Sequence, residues 1–126
     1  MKKLIEAAHQ AQQNAHAPYS KYRVGAAVLT IDNNIITGCN VESSSYGLTC
    51  CAERTALYSA IAQGHTNFKK LAVITENGAS PCGACRQVIW DLCGDIPIHI
   101  VDNNGTIEET SSKTLLPLAF DSNMLK

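Results

Sequence analysis

The stretch LAVITENGASPCGACRQVIWDLCGDIPIHIV, residues 71–101, decides the fold. It opens with Leu71-Ala72-Val73-Ile74-Thr75, a short apolar and β-branched run of the kind that forms a buried strand. Glu76 to Ser80 predict a loop, and Pro81 opens a helix, because proline costs least in the first turn, where its missing N–H has no partner in any case. Along that helix Cys85, Val88, Ile89, Leu92 and Cys93 share one stripe, and Gly94 stops it. Ile96 to Val101 is apolar again and reads as a second strand. Strand-helix-strand units favour a mixed sheet with helices packed on it, an α/β layer architecture.

The flanks extend the same pattern. Residues 2–15 place Leu4, Ala8, Ala11 and Ala15 at helical spacing between Lys, Glu and Gln, and Pro18 ends that helix. Residues 19–23 form a loop, 24–29 a strand apolar on both faces, Asp32-Asn33-Asn34 a turn, and 35–41 the returning strand of a hairpin. Residues 43–50 are loop, and a helix runs over 51–63 to a C-terminal cap at Gly64. Thr106 to Glu109 supplies a fifth strand, and residues 115–126 read as loop plus a short helix. With no internal repeat, low-complexity tract or linker, residues 1–126 read as a single domain.

Composition excludes several classes of function. The 10 basic residues nearly balance the 11 acidic ones, so a charge-driven binder of polymeric nucleic acid is not expected. Lys2-Lys3 is not followed by the apolar run of about 7–15 residues that a secretory signal requires. The apolar runs also fall far short of the ~20 residues that span a bilayer. The expectation is a cytoplasmic chain with no membrane partner. In a reducing compartment its 6 cysteines do not make a disulfide framework.

Three of those cysteines sit at helix starts: Cys51, and the pair in Pro81-Cys82-Gly83-Ala84-Cys85. Residues three apart share a helix face, so Cys82 and Cys85 point the same way. Backbone N–H groups and the positive end of each helix dipole stabilise thiolates there. Two such helix starts facing each other would converge three thiolates on one ion. Zinc accepts that set and keeps a fourth tetrahedral position open. Glu53 follows Cys51 by two residues, which on a regular helix points it about 200° away. At a helix start, side chains lean back toward the N-terminus and both can reach a point ahead of it. A carboxylate there is a natural general base. Arg54, three residues from Cys51, offsets part of the charge of about −1 that a divalent ion with three thiolates leaves.

Other readings of these residues stand beside this one. Cys82 and Cys85 alone fit a thioredoxin-like redox dithiol opening a helix after a strand, although that leaves Cys51 and Glu53 without a role. A closed structural zinc site would take Cys39, Cys50 or Cys93 as fourth ligand. Cys39 and Cys93 otherwise read as small core residues, and Arg86 as a surface charge.

Cys51-Ala52-Glu53 followed by Pro81-Cys82-Gly83-Ala84-Cys85 has the zinc-deaminase pattern in its all-cysteine form. Tyr19-Ser20-Lys21-Tyr22, Val24-Gly25-Ala26-Ala27, Gly38-Cys39-Asn40-Val41-Glu42, Tyr46-Gly47-Leu48-Thr49, Cys51-Ala52-Glu53-Arg54-Thr55-Ala56, Pro81-Cys82-Gly83-Ala84-Cys85-Arg86-Gln87 and Leu115-Leu116-Pro117 follow one another in order. The chain thereby resembles the small cytidine deaminases that act on free nucleosides. The resemblance implies a three-layer fold on a mixed five-stranded sheet and one Zn2+ per subunit held by Cys51, Cys82 and Cys85, with Glu53 shuttling protons. It also implies hydrolysis of cytidine and 2′-deoxycytidine to uridine and 2′-deoxyuridine plus ammonia, in pyrimidine salvage. Asn40 and Glu42 would meet the ribose, Tyr22 would lie along the base, and the Ala52 amide would contact it. Phe120 would close over the base from a neighbouring subunit, in a homotetramer with shared active sites. Arg23 stands where the family usually has proline, which implies a less rigid loop around Tyr22. Cys50 occupies a position that varies in the family.

Overall fold

A computed structural model of the chain describes residues 2–125. Met1 and Lys126, which the expected domain (1–126) and C-terminal segment (115–126) include, lie outside the described residues. Five strands make one mixed sheet: β1 Gly25–Thr30, β2 Ile35–Cys39, β3 Phe68–Ile74, β4 Pro97–Val101 and β5 Ile107–Ser111. Their order is β2-β1-β3-β4-β5. β1 is antiparallel to both neighbours, β3 and β4 are parallel, and β5 closes the far edge antiparallel. The helices are α1 Lys2–Gln13, α2 Ala52–Ala62, α3 Gly83–Cys93 and the short α4 Ser112–Leu115, with 3-10 turns at Tyr46–Leu48 and Ser122–Leu125. The stretch 71–101 forms the parallel β3-α3-β4 crossover expected of it.

Alternation along the central strands divides the core into two slabs. Ala27, Ala72, Ile74 and Val101 meet Leu4 and Ala8 of α1 on one face. Val28, Leu71, Val73, Ile98 and Ile100 meet Leu57 and Ala60 of α2 and Ile89 of α3 on the other. The layers are therefore α1, sheet, and α2 with α3. This arrangement brings the first turns of α2 and α3 together at one end of the sheet, where β1 begins and β3 ends.

Several boundaries differ from the sequence expectation. α1 stops at Gln13 rather than residue 15, and β2 stops at Cys39 rather than 41. β3 begins at Phe68, because the buried Phe68 ring belongs to the α2–α3 core although Lys69 and Lys70 follow it. Pro81 does not open α3: Cys82, with φ −67° and ψ 168°, is the N-cap, and Pro81 lies just outside. α4, starting at Ser112, arises because the Ser111 hydroxyl accepts the Thr114 N–H, a regular N-cap bond.

His99 is fully buried on β4, and neither ring nitrogen has a hydrogen-bond partner. Burial pushes its pKa below the ordinary histidine value; Glu109 across the strand opposes this and Lys70 adds to it. The folded state thus favours the neutral ring, whereas the unfolded chain takes up a proton below about pH 6.5. Stability is therefore lost as pH falls through about 6.5. We expect the melting temperature to drop between about pH 7.5 and 5.5, and His99→Leu to shrink that drop. An undiminished drop in the variant would assign the acid sensitivity to other groups.

Candidate active site

Cys51 is the N-cap of α2 and Cys82 the N-cap of α3, both with extended backbone. Neither thiol caps its own helix, so both are free to project ahead of the helix end. Cys85 stands one turn into α3 and is fully buried, whereas Cys82 is exposed. The three Sγ atoms lie within 4.8 Å of one another, with Cys51–Cys82 at 3.8 Å and Cys82–Cys85 at 3.5 Å. A tetrahedral zinc with Zn–S bonds of ~2.3 Å sets its sulfurs about 3.8 Å apart, so the spacing and chemistry of this donor set fit the ion. Among the described residues this is the one such group of three or more ligand atoms, and Cys39, Cys50 and Cys93 are outside it. The closed four-cysteine alternative therefore has no fourth sulfur here.

Electrostatics at the cluster follow from its contacts. Cys51 is lowered to about 5, first because the Cys85 thiol hydrogen-bonds to it and then because Arg54 faces it. The Arg54 guanidinium donates to Cys51 Sγ at 3.4 Å. Cys85 is correspondingly held protonated by Cys51 and by burial. The Glu53 carboxyl, only 3% exposed, is pushed up to about 7, mainly by burial.

Glu53 and Cys51 line the same cavity in spite of their separation of two residues. The N-cap geometry explains this: Cys51 is not helical, so the helical wheel that would set the two apart does not apply to it. The cavity measures about 470 Å³. Of the residues expected at the site, Tyr22, Asn40, Glu42, Cys51, Glu53 and Cys82 line it. Cys85 and Arg54 are not part of that lining, and Ala52 is buried at the first position of α2. Phe120 is not brought to the cavity; it is 56% exposed, and its carbonyl accepts from Gln87 on α3 at 2.7 Å.

The polar wall is more constrained than its sequence suggests. Asn40 is buried, its Oδ1 accepting the Val24 N–H at 2.9 Å and its Nδ2 donating to the Tyr22 carbonyl at 2.8 Å. Its amide thus fixes the loop that carries Tyr22. Arg23 itself does not line the cavity. Glu42 accepts from the N–H groups of Tyr19 and Ser20 and from the Ser20 hydroxyl. The Ser20 hydroxyl first, and those amides with it, hold the Glu42 carboxyl below the usual carboxylate range.

Sequence reasoning missed Arg86. Its guanidinium donates to the Pro81 carbonyl (2.7 Å), the Ser80 hydroxyl (2.7 Å) and the Leu115 carbonyl (2.9 Å). It therefore fixes the turn bearing Cys82 and moors the C-terminal segment to it. No local pattern announces this, because Leu115 lies 29 residues away.

Comparisons with known proteins agree with this geometry. The family model for the cytidine and deoxycytidylate deaminase zinc-binding region matches residues 1–98. A cytidine deaminase of Sporosarcina psychrophila is 50% identical over 123 residues, covering 95% of this chain and 90% of that protein. One of Halalkalibacterium halodurans is 46% identical over 120 residues, covering 93% and 91%. The crystal structure of a cytidine deaminase from Burkholderia pseudomallei superposes with a TM-score of 0.91 at 47% identity, covering 94% of this chain and 98% of that one.

Proposed function

Because the chain belongs to the cytidine and deoxycytidylate deaminase family, we propose a specific division of labour among its residues. The enzyme hydrolyses cytidine to uridine with release of ammonia, and it uses zinc. Cys51, Cys82 and Cys85 hold one ion per chain. When bound, zinc supplies the Lewis-acid chemistry that makes water a nucleophile near neutral pH. Glu53 takes the proton of the water attacking C4 and delivers it to N3 of the pyrimidine. It next takes the proton of the hydroxyl now bonded to C4 and passes it to the amine as the C4–N bond breaks and the C4 carbonyl forms. Arg54 balances thiolate charge through Cys51.

Substrate binding falls to the opposite wall. Tyr22 lies along the base, the Ala52 amide at the start of α2 contacts it, and Glu42 receives the sugar hydroxyls of cytidine or 2′-deoxycytidine. Asn40 serves the sugar with whatever bonding capacity its two backbone contacts leave, and serves the base by placing Tyr22. Phe120, exposed and not part of its own chain's cavity lining, suits a role at a neighbouring chain's cavity in a homotetramer. Exposed Tyr46 and Leu48 are further apolar surface for such contacts. Residues 1–126 act as one domain, and six free thiols suit a cytoplasmic location. No helix among the described residues is long and apolar enough to cross a membrane.

The observation that carries this reading is the convergence of three sulfurs beside a cavity of about 470 Å³ that Cys51, Cys82 and the buried Glu53 line. Purified protein should carry one zinc per chain, scatter light as four chains, and convert cytidine as followed by ultraviolet absorbance. A strong chelator should abolish turnover and added zinc restore it. Undiminished turnover by protein stripped of metal would overturn the assignment.

A further inference from the structure

The cavity has two facing walls on separate parts of the chain. One is the segment entering β1, from which Ser20, Tyr22 and Val24 face inward. The other follows β3 and includes Thr75, Ala79 and Ser80. Tyr22 is held on its own wall by its backbone alone, its N–H donating to the Ser20 hydroxyl at 3.0 Å and its carbonyl accepting from Asn40. The preceding Lys21 has φ 61°, a left-handed backbone that a residue with a Cβ adopts only under constraint.

The hydroxyl end of the ring reaches the turn that follows β3. Tyr22 Oη donates to Asn77 Oδ1 at 2.6 Å, joining residues 55 apart in sequence. Asn77 stands on a braced turn. The Thr75 hydroxyl accepts the Ala79 N–H at 2.9 Å across it, and the Asn103 N–H meets the Glu76 carbonyl at 3.4 Å. Gly78 within the turn has φ 75°, and a Cβ on it would lie 3.4 Å from Asp102 Cβ. The acceptor is therefore fixed to β3 and to the β4–β5 connection, and the Gln12 amide, donating to both Asn103 Oδ1 at 3.0 Å and the Arg23 carbonyl at 3.1 Å, ties that connection to the Tyr22 loop a second time.

We propose that Asn77 is a positioning residue for cytidine deamination, pinning the Tyr22 hydroxyl so that the ring is set against the pyrimidine before substrate arrives. A ring held at both its backbone and its tip has already lost the torsional freedom that binding would otherwise remove. A phenylalanine ring in the same place would be held at one end only. The inference rests on the reading that Tyr22 lies along the base. Proton transfer by Glu53 involves neither residue, so loss of the bond weakens ground and transition states alike and appears in KM.

The test compares Asn77→Ala, Tyr22→Phe, their double variant, Asn77→Asp and Tyr22→Ala, each zinc-loaded and checked for an unchanged melting temperature. Asn77→Ala and Tyr22→Phe should each raise KM for cytidine about three- to tenfold, the value of one neutral hydrogen bond, with kcat within about twofold. The double variant should be no worse than either single one. Asn77→Asp, which keeps the acceptor oxygen, should stay near the wild-type KM. Unchanged KM in Asn77→Ala, a fall in kcat instead, or additive effects in the double variant would each overturn the proposal. Tyr22→Ala separates the two levels. If it raises KM while the other variants do not, only the role of Asn77 fails; if it too leaves KM unchanged, the placement of Tyr22 at the base fails with it.

Discussion

Glu53→Gln turns cytidine over roughly 10²–10⁴-fold more slowly than the parent enzyme, the span that general acid–base catalysis supplies. Glutamine matches glutamate in volume, and the side chain is 3% exposed in the first turn of α2, so the fold is retained. The substitution also replaces a carboxyl that burial already disfavours in its charged form, so the melting temperature should hold or rise. What disappears is the ability to carry one proton from water to N3 and a second from the C4 hydroxyl to the amine. The three sulfurs are untouched, so metal analysis should still find one zinc per chain. That pairing of full occupancy with lost turnover separates a proton carrier from a ligand. A loss of less than about tenfold would mean that another group moves the protons.

Much of this architecture was legible because its signals are local. Leu71 to Ile74 is apolar at every position and lies mid-sheet, buried on both faces. The three cysteines and Glu53 stand out by spacing, since thiolates that share a metal are stabilised at helix starts, where backbone N–H groups are free. Pro81 misled by one rule: cysteine is a poor capping residue, so nothing in the sequence marks Cys82 as the N-cap that pushes Pro81 outside the helix. β5 extends to Ser111 because pairing with β4, rather than its own exposed Glu108 and Glu109, determines its length. Residues whose partners are distant in sequence were not legible at all. The family resemblance gives Asn40 to the ribose, yet the loop at 22–24 occupies both ends of its amide. Arg86 and Asn77 gain their meaning only from Leu115 and Tyr22.

Gly38→Ala should lower the melting temperature by roughly 10 °C, corresponding to about 3 kcal/mol in a domain of this size. Gly38 lies in β2, paired with Ala26 and facing the first two turns of α2. A Cβ there would sit 2.3 Å from the Ala56 nitrogen and 2.7 Å from the Ala52 carbonyl oxygen. Both are backbone atoms, so no rotamer change can relieve the clash; strand and helix must separate. Ala26, Ala52 and Ala56 form a fully buried cluster of small side chains at this crossing, which lets the helix approach so closely. The displaced element is the one that carries Cys51 at its N-cap and Glu53 in its first turn, while Cys82 and Cys85 stay on α3. A shift of about 1 Å can cost 10²-fold in rate, so activity should fall further than stability alone requires. Weaker zinc retention during dialysis against chelator should accompany it. Gly47→Ala is the control: nothing lies within 4 Å of the added methyl, and its melting temperature should stay within about 2 °C of the parent. Equal melting temperatures for the two variants would show that the strand and helix are not in the close contact on which the placement of Cys51 depends.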